Sequence, residues 1–276
     1  MKPDPLAPPA NKELLSRFLS HCRVPECRSR LQMLTAVTRA FARVPYENLT
    51  KIIKQAETGD PMQARRGPSE LIGDHMVLGT GGTCFSLTAA FLHLVRSLGW
   101  EAEPILADRS YGSNSHCALV VRISGQLHLL DPGFLILEPI LLSDGDSREV
   151  ETPFNRLILT PRREGETLEL STVQEGRRTH RITFKLQPVD TGEYLRAWDA
   201  SFDWEMMHYP LLTRVADGRQ LYLRGSRLQV RCADAVELSE IALDNLAAHI
   251  ESDFGVARPV AARALVILKR RGDLHG

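Results

Sequence analysis

The stretch HCALVVRISGQLHLLDPGF, His116 to Phe134, decides how the middle of this chain folds. Two mainly apolar runs, His116–Ile123 and Gln126–Asp131, flank Ser124-Gly125, a dipeptide suited to a two-residue hairpin turn. In that register Ile123 faces Gln126 and Asp131 faces Ala118. Asp131 then lies one diagonal step from His116 on the same side of the sheet. Diagonal neighbours sit roughly 7–8 Å apart, close enough for a carboxylate to meet an imidazole. Cys117, Leu119, Val121 and Ile123 form the other, apolar face, which belongs against the packed core. A connection one residue longer would put His116 and Asp131 on opposite faces.

Upstream, Gly79-Thr80-Gly81-Gly82-Thr83-Cys84 runs into a segment, Cys84–Leu98, that is apolar nearly all round. This predicts a buried helix stopped by Gly99. With Thr83 as N-cap, Cys84 takes the first helical position, where unpaired backbone N–H groups and the helix dipole favour an anion. Thiols in such places ionise below their ordinary value of about 8.5, and the thiolate is the nucleophile. A cysteine on a buried helix is also an ordinary core residue; the paired His116 and Asp131 set this one apart. Thiol, imidazole and orienting carboxylate are the parts of a Cys-His-Asp nucleophilic site. His93 falls mid-helix among apolar residues, and His128 points away from Asp131. His21, His75 and His208 show no evident partners, so no metal site is expected.

Around this centre the chain reads as α+β. Helices are predicted over Lys12–His21, Arg28–Ala42 and Tyr46–Ala56, with a loop from Gly59 to Gly67. Short strands follow at Glu103–Ala107, Leu157–Leu159, Thr167–Thr172 and Arg181–Leu186, a pattern of barrels or sandwiches. The last third mixes strands at Gln220–Leu223 and Arg227–Val230 with a helix from Ser239 to His249. At 276 residues, 43% apolar and 25% charged, the composition excludes fibrous and disordered classes. Lys plus Arg number 34 and Asp plus Glu number 34, so no global field recruits nucleic acid or an anionic membrane. No run approaches the ~18 apolar residues of a membrane span, and the Pro-rich start has no signal-peptide core. The five cysteines include no C-x-x-C pair. The expectation is a soluble cytoplasmic protein with reduced thiols.

In three ordered segments the sequence resembles the arylamine N-acetyltransferase family. These are Val44-Pro45-Tyr46-Glu47-Asn48-Leu49, Gly81-Gly82-Thr83-Cys84-Phe85, and His116 followed by Asp131-Pro132-Gly133-Phe134. The family pattern is Pro-Phe-Glu-Asn-Leu, Arg-Gly-Gly-x-Cys-Phe-Glu, then a histidine and Asp-x-Gly-Phe. The resemblance implies three parts with a cysteine-protease-like core. They are a helical bundle (1–83), an antiparallel β-barrel carrying the triad (84–190), and an α/β lid (191–276). It implies a ping-pong transfer of an acetyl group from acetyl-CoA, a co-substrate and not a resident cofactor. Cys84 would carry the group to an arylamine, hydrazine or N-hydroxyarylamine, and Tyr46 and Phe134 would line the acceptor pocket. Thr80, Ser86 and Thr88 stand where the family has Arg, Glu and Asn, differences that bear on the fold. Leu135 and Ile136 stand where many members have small residues.

Other functions fit the same residues. An amide synthase would use the triad on a carrier-bound or self-contained acyl chain. A transglutaminase-like or peptidase-like thiol enzyme shares the Cys, His, Asp order. A binding protein with lapsed chemistry is motivated by Thr80, Ser86 and Leu135.

Overall fold

Helices dominate the first hundred residues: α1 (Glu13–His21), α2 (Arg30–Phe41), α3 (Leu49–Thr58), the short α4 (Pro61–Ala64), α5 (Pro68–Leu78) and α6 (Cys84–Ser97). A two-residue strand, β1 (Tyr46–Glu47), lies between α2 and α3. The computed structural model describes residues 3–274 apart from 135, 137, 143, 144, 175, 233 and 234. Ser29 caps α2 by accepting from the Gln32 N–H. Apolar side chains of α1, α2, α5 and α6, among them Phe18, Leu34, Phe41, Leu71 and Phe91, share one core. Leu31, near the start of α2, lies outside that core and is 46% exposed.

The strands that follow are β2 (Ala102–Arg109), β3 (Gly112–Ile123), β4 (Gln126–Leu130), β5 (Ile140–Leu141), β6 (Arg148–Glu151), β7 (Arg156–Arg162), β8 (Thr167–Gln174) and β9 (Arg177–Lys185). They form one sheet in the order β5-β4-β3-β2-β9-β8-β7-β6, with every pairing antiparallel. Leu129 of β4 and Leu159 of β7 are far apart in that order, yet share one core with Ile105, Val120, Leu170 and Phe184. The sheet therefore curls around its own apolar face. The β3–β4 register is the expected one: Ile123 faces Gln126 and Leu119 faces Leu130. Ser124 and Gly125 both take positive φ, 51° and 80°, as a type I′ turn requires.

Beyond lie α7 (Thr191–Ala200), two 3₁₀ turns at Ser201–Asp203 and Glu205–His208, then β10 (Leu211–Ala216), β11 (Arg219–Arg224), β12 (Arg227–Cys232) and β13 (Ala235–Glu240). α8 (Leu243–Phe254) and α9 (Arg258–Arg271) close the described chain. β1 joins this second sheet at one edge, in the order β1-β10-β11-β12-β13. Leu212, Leu221, Leu223 and Leu228 turn one face of it onto Leu246, Ile250 and Ala264 of α8 and α9. No described helix is long and apolar enough to cross a membrane.

Three expectations are corrected. The loop drawn from Gly59 to Gly67 holds the one-turn helix α4, opened by Pro61 and capped by Asp60, whose carboxylate accepts the Met62 N–H. The helix drawn from Tyr46 begins only at Leu49, because Tyr46 and Glu47 pair with Thr213 and Leu212 of β10. Local spacing cannot see a partner more than 160 residues away, and the ladder wins. The helix drawn from Ser239 starts at Leu243, since Ser239 and Glu240 pair with Leu228 and Arg227.

Candidate active site

Tyr46–Glu47 and the glycine-rich turn are laced together. The Glu47 N–H donates to the Gly82 carbonyl at 3.0 Å, and the Gly82 N–H donates to the Pro45 carbonyl at 3.3 Å. A Cβ on Gly81 would fall 1.7 Å from the Pro45 oxygen, so only glycine permits this approach. The turn delivers the chain into α6 with Thr83 at the N-cap and Cys84 at the first helical position. The Thr83 side chain makes no capping bond, which leaves first-turn N–H groups free beside the sulfur.

β4 pairs with β3 only as far as Leu130 opposite Leu119. The edge of β3 at His116 and Cys117 is therefore open on that side, and Cys84 approaches it. His116 Nε2 lies 2.7 Å from Asp131 Oδ2, both residues being buried. The other Asp131 oxygen accepts the Phe134 N–H at 2.9 Å, which fixes the carboxylate. With Nε2 engaged, the ring's second nitrogen, Nδ1, is the one left for the hydrogen bond with Cys84. Gly133 shows how closely the three converge. A Cβ there would sit 3.0 Å from His116 Cε1, 3.1 Å from Cys84 Cβ and 3.4 Å from Asp131 Oδ1.

The electrostatics follow from this packing. Cys84 ionises well below the ordinary thiol value. The largest cause is a hydrogen bond from Cys117; the hydrogen bond and charge of His116 and the charge of Lys51 add to it, overcoming burial. Burial alone would lower His116, but the charge and hydrogen bond of Asp131, with Cys84, raise it to about 9. Burial and the neighbouring Cys84 push the Cys117 thiol up, so Cys117 keeps its proton and donates it. Both shifts favour the thiolate–imidazolium form of the pair.

Tyr46 reaches Met206 Sδ at 3.6 Å, and its phenol is pushed up, first by burial and then by the charge of Cys84. Phe134 packs its ring against the core of the curled sheet. Ile136 is buried in that same core, while Leu135 lies outside the described residues. The departures at Thr80, Ser86 and Thr88 are accommodated locally. Ser86 Oγ donates to the Thr83 carbonyl at 3.0 Å, and Thr88 Oγ1 to the Cys117 carbonyl at 3.3 Å. Thr80 meets Arg66, whose guanidinium also reaches the Gly81 carbonyl at 2.6 Å and buried Glu47 at 3.6 Å. His75 and His208 do have partners, the Thr80 carbonyl at 3.0 Å and Asp273 at 2.9 Å.

Sequence reasoning missed Lys51. Its ammonium is buried, donates to the Ser201 carbonyl at 2.7 Å, and lies 4.2 Å from the Phe202 ring centre. Burial lowers it to about 7, against the opposing charges of Cys84, Asp203 and Asp199. A lysine beside Leu49, Ile52 and Ile53 was the available signal. Sequence reasoning also missed the role of Cys117, although the alternation had placed it on the face that receives α6.

A sequence profile of the N-acetyltransferase family matches residues 30–261. The chain belongs to the arylamine N-acetyltransferase family. Solved structures agree in fold. The arylamine N-acetyltransferase of Mycobacterium abscessus superposes with a TM-score of 0.77 at 19% identity, over 92% of this chain and 94% of that one. That of Mycobacterium marinum in complex with CoA gives 0.77 at 16%, over 93% and 98%. The Bacillus cereus enzyme, described as having a Cys-His-Glu catalytic triad, gives 0.72 at 16%, over 89% and 99%. A comparison with curated protein sequences returns no significant match. Arylamine N-acetyltransferases are enzymes, and the curled sheet flanked by helices is their architecture.

Proposed function

We propose that the protein transfers an acetyl group from acetyl-CoA to an arylamine or hydrazine through a thioester on Cys84, with His116 and Asp131 completing the triad. The observation that carries this is the convergence around Gly133, where an added Cβ would meet all three residues at once, with His116 bonded to Asp131. The Cys84 thiolate attacks the thioester carbonyl, and the new oxyanion lies beside the free N–H groups at the start of α6. Collapse breaks the bond to the CoA sulfur, which leaves with the proton of the His116 imidazolium. The amine then attacks the acetyl-Cys84 carbonyl, and neutral His116 takes its proton. The Cys84 thiolate departs, the amide is released, and the thiolate–imidazolium pair is restored. Tyr46 and Phe134 border the acceptor's approach.

Incubation with acetyl-CoA followed by mass spectrometry tests the first half. The peptide containing Cys84 gains one acetyl group, and a second incubation with an aromatic amine removes it. A Cys84 peptide that stays unmodified while acetyl-CoA binds overturns the reading.

A further inference from the structure

Three arginines meet at the cleft between the two sheets, and none has a carboxylate partner among the described residues. Arg109 ends β2, two residues past Ala107, the residue that faces His116. At 3.2–3.4 Å per residue that is roughly 7 Å along the strand from the triad. The β2–β3 register shifts between Ala107 and Arg109. Arg181 is the unpaired residue of a bulge in β9: Leu170 faces Ile182 and Ser171 faces His180, leaving Arg181 extra. Strict alternation would turn Arg181 away from the face that Ile182 and Phe184 bury; a bulge re-aims a side chain. Its Nε donates to Thr172 Oγ1 at 2.9 Å, and Thr172 shares the inner face with Leu170.

Arg231 comes from the other sheet. It faces Gln220 on β11 and lies two residues from Gln229, in the row that holds Tyr222, Thr213 and Tyr46. This is the face opposite the one packed on α8 and α9, so Arg231 looks into the same cleft as Tyr46. Its Nη1 donates to Asn155 Oδ1 at 2.7 Å, bridging the two sheets. Its Nε is buried with no hydrogen-bond partner among the described residues. Arg109 and Arg231 are both close enough to disfavour the charge of Arg181.

Arg181 and Arg231 are held by neutral oxygens and Arg109 lies 5.6 Å from the Tyr111 ring centre, so these half-buried guanidiniums oppose the charge of Arg181 and leave donors unused. In a chain with equal numbers of acids and bases this cluster is not a by-product of composition. An anion is the complement that satisfies both deficits, and phosphate oxygens match the guanidinium fork. We propose that Arg109, Arg181 and Arg231 bind the phosphate groups of the thioester donor, so that its pantetheine arm runs from this cluster past Tyr46 to Cys84. The proposal rests on the acetyl-transfer reading for the identity of the ligand. It adds to that reading the side chains that hold the donor's phosphates and make them matter to the rate.

The test compares acetyl-CoA with acetyl-pantetheine, the same thioester without the nucleotide and phosphates, on the whole 276-residue chain. In Arg181→Gln, Arg231→Gln and the double variant, the wild-type preference in kcat/KM for acetyl-CoA falls roughly tenfold or more per guanidinium removed. Inorganic pyrophosphate competes with acetyl-CoA in the wild type and loses this effect in the double variant. Glutamine at 181 places its amide nitrogen where Arg181 Nε meets Thr172 and can keep that bond, glutamine at 231 gives up the bond to Asn155, and circular dichroism confirms folding. An unchanged preference, or a rise in KM confined to a carboxylate-bearing arylamine, overturns the proposal. If Cys84 takes acetyl from neither donor, the acetyl-transfer reading falls. Titration calorimetry with inorganic pyrophosphate then decides the cluster by itself. Binding present in the wild type and lost in the double variant upholds the anion site, and no binding in the wild type refutes it.

Discussion

Cys84 and His116 shift in opposite directions, and this sets a pH window. The thiol ionises well below its ordinary range, chiefly through the Cys117 hydrogen bond, whereas the imidazole holds its proton to about 9. Under the proposed reaction, between those limits Cys84 would be ready as nucleophile and His116 loaded as the acid that protonates the leaving thiol. Acetylation of Cys84 should therefore be flat across neutral pH and fall as pH rises through about 9, measured by rapid-quench mass spectrometry. A rate that keeps climbing to pH 10 would mean that His116 is not the acid. Asp131→Asn removes the charge that holds His116 up and permits the wrong tautomer. Its alkaline limb should move down in pH and kcat fall roughly 10²–10⁴-fold. A folded Asp131→Asn enzyme with full activity would break the triad at that residue. The sequence made these three residues legible because each announces itself locally: a helix start, a strand position, a hairpin register. Cys117 and Lys51 were not legible as neighbours of the sulfur. What they touch depends on how α6 and the Phe202–Trp204 segment dock, and periodicity carries no record of that.

Among elements, the β3–β4 hairpin does most to build the site, and its register was readable because a two-residue turn leaves no slack. Tyr46–Glu47 was unreadable for the opposite reason: its conformation is dictated by β10 and Gly82, both distant in sequence. The segment leaving β4 gives a sharp test. Gly133→Ala forces a methyl group to 3.0 Å from His116 Cε1 and 3.1 Å from Cys84 Cβ, tighter than ordinary contact. Relief requires the ring or the helix start to move, and small misplacements of reacting groups cost rate. The variant should lose roughly tenfold or more in kcat and about 1–3 kcal/mol of stability by overpacking. Gly67→Ala is the control, since its backbone is extended at φ −74° and nothing lies within 4 Å of the added carbon. Its kcat and urea midpoint should match the wild type. If Gly133→Ala matches it too, the convergence is looser than these distances say.

Across the whole molecule, the second sheet is tied to the helices behind Cys84 by one buried cation. Arg66 reaches Asp74 of α5 at 2.7 Å, Thr50 of α3 at 2.8 Å, the Gly81 carbonyl at 2.6 Å and Glu47 of β1 at 3.6 Å. Arg66 is 4% exposed and Glu47 0%, so the pair lies where an unmatched charge is costly. The sequence showed Thr80 where the family pattern has arginine, but not that Arg66 would fold back onto it. The short α4 and the start of α5 bring the guanidinium to 3.4 Å from Thr80 Oγ1. The charge needed against Glu47 is thus supplied from a different place in the chain. Arg66→Met leaves the buried Glu47 carboxylate without its counter-charge, held only by the N–H and hydroxyl of Thr50, and frees the turn that presents Cys84. It should destabilise by about 3–5 kcal/mol, read from urea unfolding monitored by circular dichroism. Adding Thr80→Arg returns a guanidinium from the family's own position and should recover a measurable part of that loss, together with Cys84 acetylation. If Arg66→Met alone stays within about 1 kcal/mol of the wild type, the cluster is not what joins the sheet to the helices. If the single variant is unstable and the second substitution restores nothing, the two positions are not interchangeable, and the specific bonds to Thr50 and Asp74 matter more than the charge.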